Sequence, residues 1–285
     1  MIARHGALVS IALAVALAGC GGASAATNPA ADPGTPGPGE DGATASARVE
    51  LVVFAAASLR DAFGAVKESY EAAHPGVAIT FSFDGSGALR TQLEQGAPAD
   101  LFASADQVNP QALVDAGLAD GRPIPFAGNH LALVVPADNP AGIASPFDLA
   151  RPGVRLVGAG ATVPITEYTT QMVGLLAGLP GAAPGFAAAV ASNVVSREDN
   201  VRAVLAKIEL GEGDAGIVYA TDAIAAGDAV AVIPIPAEAN VAVTCTAVVL
   251  RDAPHREAAT AFLAWLTGGE GQAILARFGF VPAPS

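Results

Sequence analysis

Short apolar runs of strand length alternate along this chain with stretches whose apolar residues recur at helical spacing. Residues 50–54 form a near-continuous apolar run of the kind a buried strand carries. Leu59, Ala62, Phe63, Val66, Tyr70 and Ala73 then fall on one face of a 3.6-residue repeat, and His74-Pro75-Gly76 stops that helix. A strand is predicted over 77–83, followed by a helix over 86–95 with Leu89 and Leu93 inward and Gly96 as its stop. Further strands are predicted over 131–135, 155–157, 215–219, 229–233 and 241–250. Between them lie helices over 164–176, opened by Pro164, and over 200–210, capped by Asn200; helices over 253–267 and 270–278 close the pattern. Ser145-Pro146 reads as a cap followed by a proline at the first position of a helical turn.

Strands that alternate with helices predict an α/β fold, with mostly parallel sheets and helices on both faces. Ligands in such sheets bind where the carboxyl ends of strands meet the starts of the following helices. With 285 residues the chain exceeds what one compact core usually holds, so two lobes, or a domain with tails, are expected. A formal net charge of −13 excludes a nucleic-acid surface, which needs a basic stripe to displace phosphate counterions. It also means that any anion must be held by local dipoles, because the overall field repels it.

The first residues address the chain to the membrane. Arg4 and His5 precede an apolar run over 7–17 that is too short to span a bilayer. Leu17-Ala18-Gly19-Cys20 resembles the bacterial lipoprotein processing box, which implies a signal peptide over 1–19 and a lipidated Cys20. An ordinary secretory peptide with an incidental cysteine is the alternative. Residues 20–48 would then hold the folded body off the cell membrane on its extracytoplasmic face: from 21 to 47 there is no large apolar side chain, and a flexible tether of that length reaches on the order of 30 Å. Cys245, the only other cysteine, lies in an apolar alternation and reads as a buried strand residue; no disulfide framework is possible.

Two strand-to-helix turns carry the candidate chemistry. Residues 53–59 run from a buried strand through three alanines to Ser58, and Phe83-Asp84-Gly85-Ser86-Gly87 repeats the plan around Ser86. Small side chains let a ligand approach the backbone, while the hydroxyl and the free N–H groups of the first helical turn point at it. A serine helix cap is the plain alternative for each turn taken singly. Two such turns can converge on one tetrahedral dianion, which offers only acceptors and is satisfied by neutral donors.

Phe54-Ala55-Ala56-Ala57-Ser58-Leu59, Gly96-Ala97-Pro98-Ala99-Asp100-Leu101-Phe102, Ser104-Ala105-Asp106, Gly216-Ile217-Val218-Tyr219 and Arg277-Phe278-Gly279-Phe280 together resemble the molybdate-binding proteins of bacterial ABC importers. The resemblance covers residues 49–281 with the motifs in the same order. It implies a two-lobe periplasmic-binding-protein fold of type II, with mixed sheets, that closes on molybdate or tungstate. The first lobe would combine 49–128 with 238–285 and the second would span 129–237, hinged on strands near 131–135 and 229–235. It further implies a monomer with no catalysis and no cofactor, and with no metal beyond the molybdenum of its ligand, whose partners are the importer's transmembrane subunits. Carried over by position, Ser58 and Ser86 bind the ion from the first lobe; the backbone N–H groups of Ile165 and Val201 and the Tyr219 phenol bind it from the second.

In two places the chain departs from that pattern. Val163-Pro164-Ile165-Thr166 stands where the family commonly shows Val-Pro-Ala-Gly, which puts a bulkier side chain and a new hydroxyl beside a predicted donor. Asp84 precedes Ser86 where small hydroxyl residues are usual; it could accept a proton from hydrogen phosphate or serve a local turn. Another oxyanion such as phosphate or sulfate, a larger organic anion, and a lipoprotein serine hydrolase therefore remain as alternatives. The hydrolase lacks a Gly-x-Ser-x-Gly elbow, and its histidines (His5, His74, His130, His255) are scattered.

Overall fold

The structure, a computed structural model, describes residues 48–283. The expected signal peptide, Cys20 and all of the tether except Arg48 lie outside them. From the amino-terminal side, β1 (Val49–Ala56) passes through a 3₁₀ turn (Ala57–Leu59) into α1 (Arg60–Ala73), followed by β2 (Val77–Asp84), α2 (Ser86–Glu94), β3 (Leu101–Ser104), α3 (Val108–Asp115) and β4 (Ile124–Asn129). The chain then forms β5 (Leu131–Pro136), β6 (Leu156–Ala159), α4 (Pro164–Ala177), α5 (Phe186–Ser192), β7 (Val194–Glu198), α6 (Val201–Glu209), β8 (Ala215–Tyr219), α7 (Ala220–Ala226) and β9 (Val230–Ile233). It ends with β10 (Val243–Val249), α8 (Arg256–Thr267) and α9 (Gly269–Arg277).

These strands make two sheets, in the orders β2-β1-β3-β10-β4 and β7-β6-β8-β5-β9, which define two lobes. The expected two-lobed α/β architecture with mixed sheets is the one observed. The narrower expectation of mostly parallel strands is corrected. β1 is parallel to β2 and β3, and β6 to β7 and β8, but every pairing of β5 and β10 is antiparallel. Those two strands carry the chain into the second sheet and back into the first, so they run against the strands they join.

Helices cover both faces of the first sheet. α1 buries Ala62, Phe63, Val66 and Tyr70, the stripe read from the sequence, in the core shared with α8 and α9. On the opposite face Phe54, Leu89, Phe102, Leu113 and Val248 form a second cluster beneath α2 and α3. Cys245 sits in β10 at 1% exposure, and burial pushes its thiol up to about 12, which makes it a packing residue.

The chain crosses between sheets at His130, just before β5, and again after β9. β5 and β9, the strands expected to form the hinge, lie within the second sheet, so the crossings fall in the residues outside them. The two crossings are tied together by the Asn240 side chain, which accepts from Leu131 N and donates to Leu131 O, each at 3.0 Å, and the first is tied to α7 where Asn129 Nδ2 donates to Thr221 Oγ1 at 2.9 Å.

Candidate functional site

In the first lobe the two serines are buried, Ser58 at 4% and Ser86 at 1% exposure. Ser86 opens α2 as expected. Ser58 does not open a helix; it lies in the middle of the 3₁₀ turn and α1 starts two residues later, because the tight turn bridges strand and helix. Neither serine is a cap: α1 and α2 begin without a side-chain cap hydrogen bond. The plain alternative for both positions therefore fails.

Ser86 Oγ accepts from Ala105 N at 3.3 Å. Ala105 is held by its neighbours, since Ser104 Oγ donates to Asp106 Oδ1 at 2.8 Å and Thr246 Oγ1 donates to Asp106 O at 2.7 Å. Burial raises the Asp106 carboxyl above its ordinary range, and hydrogen bonds from Ser104 and Asn109 oppose that rise. The Ser104-Ala105-Asp106 motif thus works as support behind the serine turn.

The second lobe presents two helix starts and one strand end. Asn200 caps α6 as predicted, its Oδ1 accepting from Ala203 N at 3.1 Å, so the first turn at Val201 is aimed outward. Tyr219 ends β8 at 2% exposure. Its hydroxyl is buried with no hydrogen-bond partner in the protein. Burial holds the phenol far above its ordinary value, so it stays protonated as a donor.

Ser58, Ser86, Val201 and Tyr219 line one chamber between the lobes. Its free space is about 200 Å³, part of it open to solvent, and the centre of a water-sized sphere reaches only about 10 Å³ of it. Ile165 is not in its lining, although Val163 and Pro164 beside it are; the Ile165 side chain faces an apolar cavity of about 350 Å³ inside the second lobe. Thr166 Oγ1 donates to Ala159 O and Gly160 O at 3.1 and 2.8 Å. Both departures from the Val-Pro-Ala-Gly pattern are therefore directed away from the chamber.

Asp84 does line it. Its Oδ1 accepts from Gly85 N at 2.7 Å and from Asn200 Nδ2 at 3.2 Å, a turn contact and a contact between lobes. The lobes are pressed together at two glycines: a Cβ on Gly85 would lie 2.5 Å from Asp199 O, and one on Gly87 would lie 2.3 Å from Thr162 O. In the sequence Gly85 and Gly87 are only small residues beside the serine, because the residues opposite them are remote along the chain. No histidine lines the chamber among the described residues, so the hydrolase alternative has no imidazole beside either serine.

Two mixed sheets in separate lobes, with a small chamber between them, are the architecture of a two-lobed solute receptor. The chain belongs to the bacterial extracellular solute-binding proteins, whose family model matches residues 51–281. It is 38% identical to the molybdate-binding protein ModA of Mycobacterium tuberculosis over 273 residues, 96% of this chain and 95% of that one. Among solved structures it is similar to the sulfate-binding protein SubI of the same organism, with a TM-score of 0.73 and 25% identity over 82% of this chain and 87% of SubI. The periplasmic molybdate-binding protein of Azotobacter vinelandii shares the fold, with a TM-score of 0.66 and 22% identity over 82% of this chain and all of the other. The family resemblance read from the motifs is borne out.

Proposed function

We propose that this protein is an extracytoplasmic receptor that encloses molybdate or tungstate between its lobes and delivers it to an ABC importer. The buried Tyr219 hydroxyl, without a partner in a chamber that also holds two serines free of capping duty, is the observation that carries this reading. A buried donor left unpaired costs about 1–3 kcal/mol, a penalty that an oxyanion in the chamber removes. Ser58, Ser86 and Tyr219 supply hydroxyls, and Ile165 and Val201 supply backbone N–H groups at the starts of α4 and α6, where the neighbouring Thr166 N and Ala203 N are bonded to Val163 O and Asn200 Oδ1 but these two have no backbone acceptor among the described residues. The lobes are assigned as 49–128 with 238–285 and as 129–237. The ion is cargo, and the protein works as a monomer with neither catalysis nor a resident cofactor. Cys20 carries the lipid anchor once 1–19 are removed, and 20–48 serve as the tether.

A thermal-shift panel of molybdate, tungstate, sulfate, phosphate and chromate tests this. Ligand at a thousand times its Kd adds about 4 kcal/mol of stability. A large shift with molybdate or tungstate and little with phosphate is expected. A second reading, a receptor for another oxyanion, is favoured by the likeness to a sulfate-binding protein and by Asp84 in the chamber wall. A shift confined to sulfate or phosphate would establish it in place of the first.

A further inference from the structure

Beside the chamber, three ionisable side chains connect the elements that carry the site. Arg202 follows Val201 on α6, and its Nη2 donates across the gap to Asp61 Oδ2 on α1 of the other lobe. Asp61 stands three residues after Ser58. On its other side, Arg202 Nε lies 2.8 Å from Asp222 Oδ1 on α7, an ion pair off the line of a hydrogen bond. Asp222 is fully buried, and its Oδ2 accepts from Tyr219 N at 3.2 Å. Asp222 thus holds the backbone of Tyr219, while Arg202 is next in the chain to Val201 and Asp61 stands three residues after Ser58.

Only one of these links spans the lobes. Arg202 and Asp222 share a lobe and stay together however the lobes stand; the Asp61 contact exists only when they meet. The arginine side chain is 24% exposed and the Asp61 side chain 42%, so the pair stands at the rim, where water replaces it on opening. Arg202 is held in place by Asp222 before it meets Asp61, which lowers the ordering entropy lost in forming the pair.

From this geometry we infer that Asp61, Arg202 and Asp222 form an interlobe clasp, with Arg202 as the positioning residue that sets how long the closed lobes retain their ion. The clasp touches no ligand atom, so it acts on release and leaves capture unchanged. The inference rests on the chamber reading above for its ligand but not for its geometry.

The test uses Asp61→Asn and the charge reversal Asp61→Arg, both at a half-exposed position in the first turn of α1. Molybdate dissociation is followed by stopped-flow protein fluorescence, and the radius of gyration of the protein without added ion by small-angle scattering. Asp61→Asn is expected to speed dissociation about three- to fivefold, the upper range for a rim pair, with association unchanged within about twofold. Asp61→Arg speeds it further, and high salt shrinks both differences. Dissociation unchanged in both variants, or a loss of affinity that lies entirely in association, overturns the clasp. If molybdate fails to bind the parent protein, the chamber reading falls and scattering decides the clasp alone. A parent more compact than both variants sustains it, and identical profiles overturn it.

Discussion

Gly87→Ala should leave the first lobe sound and disable closure. The added methyl carbon would lie 2.3 Å from Thr162 O, 2.7 Å from Thr162 Cβ and 3.0 Å from Thr162 C, all in the opposite lobe and two of them backbone atoms that no rotamer can move. Ordinary contact begins near 3.4 Å, so the lobes must stand about 1 Å further apart at this point. A hydrogen bond stretched by about 1 Å lies outside the usual range. If Val201 N and Tyr219 Oη both lose the ion, at about 1.5–3 kcal/mol for each charge-assisted bond, the loss is about 3–6 kcal/mol, or roughly 10²- to 10⁴-fold in Kd. The unliganded protein should meanwhile be as stable as the parent or slightly more so, because alanine favours a helix over glycine by up to about 1 kcal/mol. Titration calorimetry with molybdate and urea melts without it measure the two effects. A Kd within threefold of the parent's refutes the closure argument, as does a loss of affinity matched by an equal loss of unliganded stability.

Tyr219→Phe keeps the ring and removes the buried unpaired hydroxyl, so it should weaken molybdate binding about ten- to a hundredfold while leaving the unliganded protein as stable or more stable. Calorimetry and urea melts check both, and a destabilised variant with undiminished binding would show that the hydroxyl serves the core. Asp222 predicts a pH dependence: burial pushes its carboxyl up to about 7 against the pull of Arg202, whereas in the unfolded chain it titrates near its ordinary value of 3.8. This group's contribution to stability is complete below about pH 4 and is lost as the pH rises through about 7, because the unfolded chain sheds a proton that the folded one keeps. Asp222→Asn should flatten that part of the profile between pH 5 and pH 8 in urea melts; equal pH slopes in the two proteins would contradict the assignment.

Legibility of the fold followed the size and periodicity of the side chains. α1 declared itself because Phe63, Val66 and Tyr70 make one stripe of large residues between polar neighbours. α5 is built from Phe186-Ala187-Ala188-Ala189-Val190-Ala191-Ser192, where alanine occupies both faces and no stripe appears. β3 is only four residues long, too short for a period, and the edge strand β7 includes Ser196, Arg197 and Glu198, whose polar side chains leave no apolar alternation. Ser58 and Ser86 were legible locally, as serines among small residues after apolar runs. Tyr219 came from the resemblance alone. The partners of Gly85, Gly87 and Arg202 sit on other elements far along the chain, and only the folded arrangement brings them within reach.

How a protein with a net charge of −13 encloses a dianion is answered by what lines the chamber. Among the described residues there, Asp84 alone carries a charge, and it is of the wrong sign for an anion. One of its oxygens is already committed to Gly85 N and Asn200 Nδ2, contacts that draw its charge toward the seam between the lobes. In the proposed reading, hydroxyls and helix-start N–H groups carry the attraction, strengthened where the closed lobes exclude water. Such donors suit an ion without a proton. Hydrogen phosphate would need an acceptor as well, and among the lining side chains Asp84 has the carboxylate, with its second oxygen outside the contacts to Gly85 and Asn200. The choice between molybdate and phosphate therefore reduces to a single oxygen: if it stays turned to the seam the chamber presents donors to a deprotonated dianion, and if it faces the ion a proton is required between them.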